Sequence, residues 1–482
     1  MKNTIKYAQV AVLIVLLYGC MAKANQRTDH TGTGGQEKPN VVIILADDLG
    51  WGDVGFNGCT DIPTPHLDKL AKDGIIFSAG YCTHPYCGPS RSGLLAGRYQ
   101  QQFGCENNLG KTFEGPVMGL PLEEKLLSEV LKENGYQTCA VGKWHLGNTP
   151  EYWPNNRGFD DWFGFAGGSR NYWGKSWGPD FTSWQEIKRD GKAVPRETLS
   201  YLTDDFTDAA IQYVDEYTKK ENPFFMYLAY NAPHAPIQAT TEYLDRVDHI
   251  EQGKRAAYGA MVAGMDAGIG KLVEKLKETG EYDNTLTFFY SDNGGHGNGS
   301  SQSPYRGLKG LLFEGGIRVP FFMSWPVGVK GGRTYEKPII AYDIFTTVID
   351  AVNIDYKDTK KLSGVSLLPF ISKENKNNPH DRLFWRYSDG QGYAVMKGGY
   401  KLIKEEVRGD LFLFDMNKDP LEHHNLVDEL PEKVKELQAD YEEWNQDNVE
   451  NIWPDKHIPN IHKMKDAREK VIKRTSAGEN RS

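Results

Sequence analysis

Four stretches of this 482-residue chain are apolar without alternation: Asn40–Ala46, Thr138–Val141, Pro223–Tyr230 and Thr285–Tyr290. A strand with one wet face alternates polar and apolar residues. A short unbroken run rich in β-branched or aromatic residues needs cover on both faces, as in a parallel sheet flanked by helices. Helical spacing lies between these runs, at Thr64-Pro65 followed by His66–Asp73, and at Leu122–Asn134, Thr203–Lys219 and Arg255–Thr279. Thr64 offers an N-cap and Pro65 suits a first helical turn. Strands alternating with helices imply an α/β domain with a large central, mostly parallel sheet flanked by helices.

The texture changes after about residue 371. Leu383–Tyr387, Gly392–Met396, Tyr400–Lys404 and Leu411–Asp415 are short alternating runs broken by Gly or Asp, and Leu430–Trp444 has amphipathic spacing. They predict a smaller antiparallel sheet with one packed helix. The expected organisation is a catalytic domain over 39–371, a C-terminal α+β subdomain over 372–463 and a charged tail over 464–482.

The first 38 residues read differently. Lys2 and Lys6 precede an apolar run, Val10–Tyr18, too short to span a bilayer, which needs about 20 residues. Basic then apolar is the pattern of an export signal, here 1–20. Leu17-Tyr18-Gly19-Cys20 resembles a lipoprotein signal in which Cys20 is lipidated, and Ala22-Lys23-Ala24 resembles an ordinary cleavage site. The place of Cys20 at the end of the apolar run favours the lipoprotein, and so a membrane anchor in the periplasm or at an outer membrane. Residues 21–38 read as a flexible tether. The net charge of −9 argues against nucleic acid as a partner. Cys59, Cys82, Cys105 and Cys139 are available for pairing in an exported protein, with no pairing specified by sequence.

In parallel sheets chemistry collects where strands end at their carboxyl sides. Here Asp47-Asp48, Gly142-Lys143-Trp144-His145, Asn231-Ala-Pro-His234 and Ser291-Asp292-Asn293-Gly294 each follow an apolar run. Four such ends together point to one shared site. Asp47, Asp48, Asp292 and Asn293 make an all-oxygen set suited to a hard cation, Ca²⁺ or Mg²⁺. Cys87 precedes Pro89-Ser90-Arg91 and a helical pattern, which puts it at a helix N-terminus, where the dipole favours an anion. Arg91 on that turn is placed to pair with an anionic substrate or with the nucleophile's oxygen.

The segment Cys87-Gly-Pro-Ser-Arg-Ser-Gly-Leu-Leu-Ala-Gly-Arg98 resembles the signature of the formylglycine-dependent sulfatases of the alkaline-phosphatase superfamily. The resemblance extends through Leu45–Asp53, Val141–Gly147, Arg157–Asp160, Pro233–Pro236, Ser291–His296, Arg306–Lys309, Glu314–Pro320 and Leu413–Glu422, in order. It implies an alkaline-phosphatase-like fold and a sulfuric ester hydrolase. It also implies that Cys87 is oxidised to formylglycine, by a formylglycine-generating or an anaerobic sulfatase-maturing enzyme. The hydrated aldehyde has one oxygen to attack sulfur and a second through which the sulfated product collapses.

The same resemblance assigns roles. Asp47, Asp48, Asp292 and Asn293, with the modified Cys87, would hold one Ca²⁺, with Mg²⁺ less favoured. Arg91 and Lys143 would stabilise the diol, and His145 would be the base for its collapse. His234 and Lys309 would contact the sulfate, with His234 as acid to the leaving alcohol. His296 is a weaker candidate, and Arg170, Asn171, Tyr172 and Trp173 are candidate sugar contacts. The expected substrate is a sulfated oligo- or polysaccharide: an algal polymer such as ulvan or carrageenan, a host glycosaminoglycan or a mucin glycan. Two other readings stay open. One is a phosphodiesterase or phosphonate monoester hydrolase of the same superfamily. The other is a glycan-binding lipoprotein with a retired site.

Overall fold

The computed structural model describes residues 38–109, 118–147, 149–174, 185–372, 375–405 and 409–453. The export signal with Cys20, the tether up to residue 37 and the charged tail lie outside them. In chain order the first part runs β1 (Asn40–Ala46), α1 (Pro65–Asp73), β2 (Ile75–Phe77), β3 (Gly80–Tyr81), α2 (Cys87–Ala96) and α3 (Leu127–Glu133). Next come β4 (Gln137–Lys143), β5 (Asp161–Phe165), β6 (Lys188–Arg189), β7 (Lys192–Ala193), α4 (Leu202–Tyr217), β8 (Phe224–Ala229), α5 (Thr241–Asp245), α6 (Lys254–Glu278) and β9 (Thr285–Ser291). Then follow α7 (Glu314–Ile317), β10 (Phe321–Ser324), β11 (Arg333–Tyr335), β12 (Ile339–Ile340), α8 (Asp343–Ala351) and α9 (Leu368–Ile371). The chain then forms β13 (Arg382–Tyr387), β14 (Gly392–Lys397), β15 (Tyr400–Lys404), β16 (Leu411–Asp415) and α10 (Pro431–Asn445).

Ten strands form one sheet in the order β11-β2-β10-β9-β1-β8-β4-β5-β6-β7. Its centre, β9-β1-β8-β4-β5, is parallel, and β10, β6 and β7 add antiparallel pairings toward the edges. The four unbroken apolar runs are β1, β4, β8 and β9, and both of their faces are covered. In β1, Val41, Ile43 and Leu45 enter one core, while Val42, Ile44 and Ala46 enter the other. The second core is roofed by α1, α4 and α6. This is the alkaline-phosphatase-like mixed sheet that the sequence implies.

The helix expected over Leu122–Asn134 is shorter, starting at Leu127. The Arg157 guanidinium takes the carbonyls of Leu120 and Glu124 at 2.8 Å each, which holds the preceding segment out of helical conformation. Cys59, Cys82, Cys105 and Cys139 are all free thiols. No helix among the described residues is long and apolar enough to cross a membrane.

The C-terminal sheet, β13-β14-β15-β16, is antiparallel throughout, and its apolar face joins the first core without a break. A buried ion group pins it there. Lys401 Nζ on β15 donates to Glu314 Oε1 at 2.7 Å and to Glu422 Oε1 at 2.8 Å, all three side chains being fully buried. Glu314 N and Tyr81 Oη donate to Glu422 Oε2 and Glu314 Oε2 at 2.8 Å, and Arg318 Nη1 donates to Glu314 Oε2 at 3.1 Å. Burial pushes the Glu422 carboxyl up to about 7 against the pull of Lys401. Lys401→Met should therefore cost about 3–5 kcal/mol in denaturant unfolding, because two buried carboxylates lose their shared cation. A loss below about 1 kcal/mol would show that the group does not pin the sheet.

Candidate active site

The strands β9, β1, β8 and β4 are neighbours and run parallel, so their carboxyl ends open along one edge. The loops there are stitched together: Asp47 N donates to Ala232 O and Asp292 N to Ala46 O, each at 3.0 Å. Asp48 sits at φ +65°, a left-handed conformation uncommon outside Gly and Asn. That turn is tied down by Tyr258, whose Oη accepts from Gly50 N at 3.2 Å and donates to Asp53 Oδ2 at 2.8 Å.

Helix α2 brings Cys87 to the same edge as its first residue, with Pro89 in the first turn. Lys309 Nζ donates to Cys87 Sγ at 3.0 Å and to Asp48 Oδ1 at 2.5 Å. Lys143 Nζ donates to Asp47 Oδ2 at 2.6 Å. Arg91 is held by its neighbours within the site. Its Nε and Nη2 grip Asp292 Oδ2 at 3.0 and 2.8 Å, and its Nη1 takes the Lys143 carbonyl at 2.8 Å. A fork-shaped guanidinium with no exposed surface settles on the nearest carboxylate.

The carboxylates suit a cation. Asp47, Asp48, Cys87 and His234 can each bring one ligand atom within 4.8 Å of the others. Asp47 Oδ1, Asp48 Oδ2 and Asn293 Oδ1 are buried and accept no hydrogen bond from any described residue. Three orphaned hard oxygens in one place are the donor set of Ca²⁺ or Mg²⁺. Asp292 stands apart from that cluster, since Arg91 occupies Oδ2, and its Oδ1 accepts from Asp48 N at 3.3 Å. Burial and the neighbouring Asp47 push Asp292 up to about 6, against Arg91. Asp48 is held well below the usual carboxylate range, burial being outweighed by the ammonium groups of Lys309 and Lys143.

Both histidines are held neutral. Burial, then Lys143 and Arg91, drives His145 well below its ordinary value. Burial, then Lys309 and Lys143 against Asp48, lowers His234 to about 3. The hydrogen bonds select their tautomers. His145 Nε2 stands 3.3 Å from Leu109 O, so it carries the proton and Nδ1 the lone pair. His234 Nδ1 stands 2.6 Å from Ala235 O and carries the proton, which leaves the Nε2 lone pair 3.6 Å from Asp48 Oδ2. In these tautomers His145 Nδ1 and His234 Nε2 are each the proton-accepting nitrogen.

The substrate candidates divide. Arg170 is packed into the wall, its guanidinium 6.0 Å from the Phe165 ring centre and its Nε donating to Asn171 O at 3.1 Å; burial lowers it to about 9. Trp173 leans on Tyr201 with ring centres 5.2 Å apart. Tyr172 is a prop, its Oη donating to His234 O at 2.9 Å and also to Asn231 O. His296 is exposed, with Nδ1 3.3 Å from Asn298 Nδ2. Sequence reasoning missed Asn108 and Leu109, which reach the site from an irregular segment that carries no periodic signal. Asn108 Oδ1 accepts from Gly88 N at 2.9 Å.

Residues 39–354 match the sequence family described as Sulfatase. The chain belongs to the sulfatase family. Residues 308–448 of this sulfatase also match a region described as N-sulphoglucosamine sulphohydrolase, C-terminal. The N-acetylgalactosamine-6-sulfatase of Mus musculus is 33% identical over 410 residues, covering 82% of this chain and 75% of the relative. The uncharacterized sulfatase YdeN of Escherichia coli (strain K12) is 32% identical over 403 residues, covering 72% and 68%. Among solved structures, Ps i-CgsB in complex with k-i-k-neocarrahexaose superposes with a TM-score of 0.83 at 36% identity, over 90% of this chain and 99% of that one. The sulfatase is accordingly a sulfuric ester hydrolase.

Gly168 gives a direct test of the site's tolerance. A Cβ there would stand 2.4 Å from His145 Nε2 and 2.5 Å from Cε1, too close for any real contact. Gly168→Ala should push the imidazole aside and lower kcat about 100-fold, the scale of a 1 Å misplacement. An unchanged kcat on an aryl sulfate would remove His145 from the reaction.

Proposed function

We propose that this sulfatase hydrolyses sulfate esters on a sulfated carbohydrate, with a nucleophile made from Cys87. The observation that carries the reading is the convergence on Cys87. A buried sulfur at a helix N-terminus faces Lys309 at 3.0 Å, within a cluster that includes Asp47, Asp48 and His234. As a thiol, Cys87 is pushed up to about 11 by burial, with Lys143 and Lys309 opposing, so it is protonated and a poor nucleophile at neutral pH. Converted to formylglycine, the residue would supply a hydrated aldehyde oxygen instead.

The remaining work falls to side chains in place. Lys309 and Lys143 put fixed positive charge beside the nucleophile, where a tetrahedral anion gains most from preorganised donors. Arg91 holds Asp292 and the Lys143 backbone, and so acts by orienting the cluster. Asp47, Asp48 and Asn293, with the remaining oxygen of Asp292, would hold Ca²⁺ or, less favoured, Mg²⁺; the cation would polarise a sulfate oxygen. Neutral His145 accepts a proton at Nδ1. His234, taking a proton from solvent onto Nε2 once the sulfate anion is bound, donates that proton to the leaving alcohol.

The sugar reading draws on relatives. One is named for N-acetylgalactosamine 6-sulfate and one is solved with a neocarrahexaose, and both align over most of this chain. An exported, lipid-anchored enzyme matured by a formylglycine-generating or anaerobic maturing partner belongs to the same proposal, on the strength of the basic-then-apolar leader and Cys20. A phosphonate monoester hydrolase of Agrobacterium radiobacter shares the fold at 19% identity and a TM-score of 0.59. Among the described residues one cation cluster of this kind is found, which suits a single-metal sulfatase.

Mass spectrometry should find formylglycine at position 87 in protein from a host with a maturing enzyme, and Cys87→Ala should show no turnover with its melting curve retained. Desulfation of a panel of sulfated mono- and oligosaccharides, with aryl sulfate and aryl phosphate alongside, fixes the substrate. Faster turnover of the phosphate would overturn the sulfatase mechanism, and no release from any sugar would overturn the carbohydrate reading. Ca²⁺ should raise the melting temperature of the chelator-treated enzyme. For a dissociation constant 100-fold below the Ca²⁺ used, the gain is about 2.7 kcal/mol. Asp48→Asn should abolish that gain, and an equal gain in the variant would place the cation elsewhere.

A further inference from the structure

Beyond the region matched at residues 308–448, the chain leaves α10 and returns to the back of the active site. Val449 N donates to Gln101 O at 3.1 Å and Ile452 N to Gly104 O at 2.8 Å, so the returning segment is paired with the loop after α2. It carries Trp453, which is fully buried. A Trp buried that completely removes about 150–250 Å² from water and does so against specific neighbours.

Those neighbours are the supports of the two groups that must be spaced correctly. Trp453 Nε1 donates to Gly119 O at 3.1 Å. Gly119 is bridged to Gly147, and Leu120 N donates to Leu146 O at 2.8 Å, which anchors the turn just after His145. The Trp453 carbonyl accepts from Asn107 Nδ2 at 3.1 Å, and Asn451 Oδ1 accepts from Glu106 N at 3.1 Å. The same short segment carries Asn108, whose Oδ1 takes Gly88 N at 2.9 Å, and Leu109, whose carbonyl takes His145 Nε2. The indole ring itself faces Gly88. A Cβ on Gly88 would meet Asn108 Oδ1 at 3.2 Å, Trp453 Cζ3 at 3.4 Å and the His145 carbonyl at 3.5 Å.

We propose that Trp453 is a positioning residue for sulfate-ester hydrolysis, setting the spacing between Cys87 and His145 from behind. Its ring backs the residue next to the nucleophile, and its polar atoms hold the two segments that flank the His145 imidazole. It touches no substrate. This inference rests on the reading that Cys87 and His145 belong to the reacting machinery.

The test uses the full-length, matured enzyme with Trp453→Ala, Trp453→Phe and, as a control, Trp444→Ala. Trp444 stacks on Phe384 with ring centres 4.8 Å apart and reports the general effect of losing a C-terminal indole. Trp453→Ala should lower kcat on an aryl sulfate about 100-fold while KM moves less than about threefold, the signature of lost geometry rather than lost binding. Formylglycine content at position 87 should match the parent. Amide exchange in peptides covering 86–90 and 105–109 should quicken about tenfold, with distant peptides unchanged. Trp453→Phe keeps an aromatic ring in the pocket while giving up the Nε1 bond and part of the indole's bulk, and should recover kcat to within about fivefold of the parent.

Parental kcat in Trp453→Ala would overturn the proposal. So would an equal kcat loss in Trp444→Ala at the same melting temperature, or faster exchange spread over the whole chain. If Trp453→Ala does not accumulate as folded protein, Asn107→Ala removes one tether and should show the same split at about tenfold, the scale of one lost hydrogen bond. Parental kcat there would equally overturn it. A parent enzyme carrying formylglycine that releases no sulfate would instead bring down the reading of the site.

Discussion

Charge buried at the carboxyl edge of the parallel sheet is the constraint on which the rest of the molecule turns. Asp47, Asp48 and Asp292 face Arg91, Lys143 and Lys309, with side chains between fully buried and 7% exposed. At such depth a lone charge would cost several kcal/mol, so each sign holds the other in place. The array still leaves three oxygens without a donor, and Asp292 is pushed upward by its neighbours. Three carboxylates meet three cationic side chains, so formal charge balances; what is missing is donors for the leftover oxygens, which a divalent cation would supply as ligand contacts. The same low dielectric that makes the array costly to build makes its fixed charges effective on a sulfate.

Much of the remaining architecture keeps this array in register. Asp53 receives Tyr258 and the backbone of Ser301, at 2.8 and 3.0 Å, joining the Asp48 turn to the loop that leads to Lys309. Tyr172 props the backbone on either side of the Pro233 turn that carries His234. Glu314, Lys401 and Glu422 lock the C-terminal sheet onto the main core. Several segments that carry the family likeness, including Arg157–Asp160, Glu314–Pro320 and Leu413–Glu422, thus contribute support rather than chemistry. The C-terminal sheet is integral to the main fold, since its core is continuous with that of the parallel sheet.

The parallel strands were legible because they are unbroken apolar runs, and β1, β4, β8 and β9 lie within one or two residues of their expected bounds. The C-terminal strands were legible for the opposite reason, their clean alternation. The helix before β4 was overextended because its spacing is helical while its carbonyls answer to Arg157, 20 or more residues away. Arg91 lies one turn along α2 from Cys87, which sequence shows, but its carboxylate contact is set by the fold. Its partner, Asp292, is 201 positions distant, and no local pattern encodes that pairing. The contacts of Arg170 with the Phe165 ring and of half-buried Trp173 with Tyr201 are likewise set by the fold and carry no local signal.

The sequence by itself determined the class of sheet, the residue types at four strand ends and the position of one Cys before a helix. These follow from local rules: which faces must be covered, and which residues start a turn. Only the tertiary structure decided which charges meet, which histidine nitrogen holds its proton and which oxygens are left over. Those outcomes depend on distances of about 3 Å, the range of one hydrogen bond. Such distances are set by strand order and by segments as remote as Trp453, because a hydrogen bond is made in space and leaves no period in the chain.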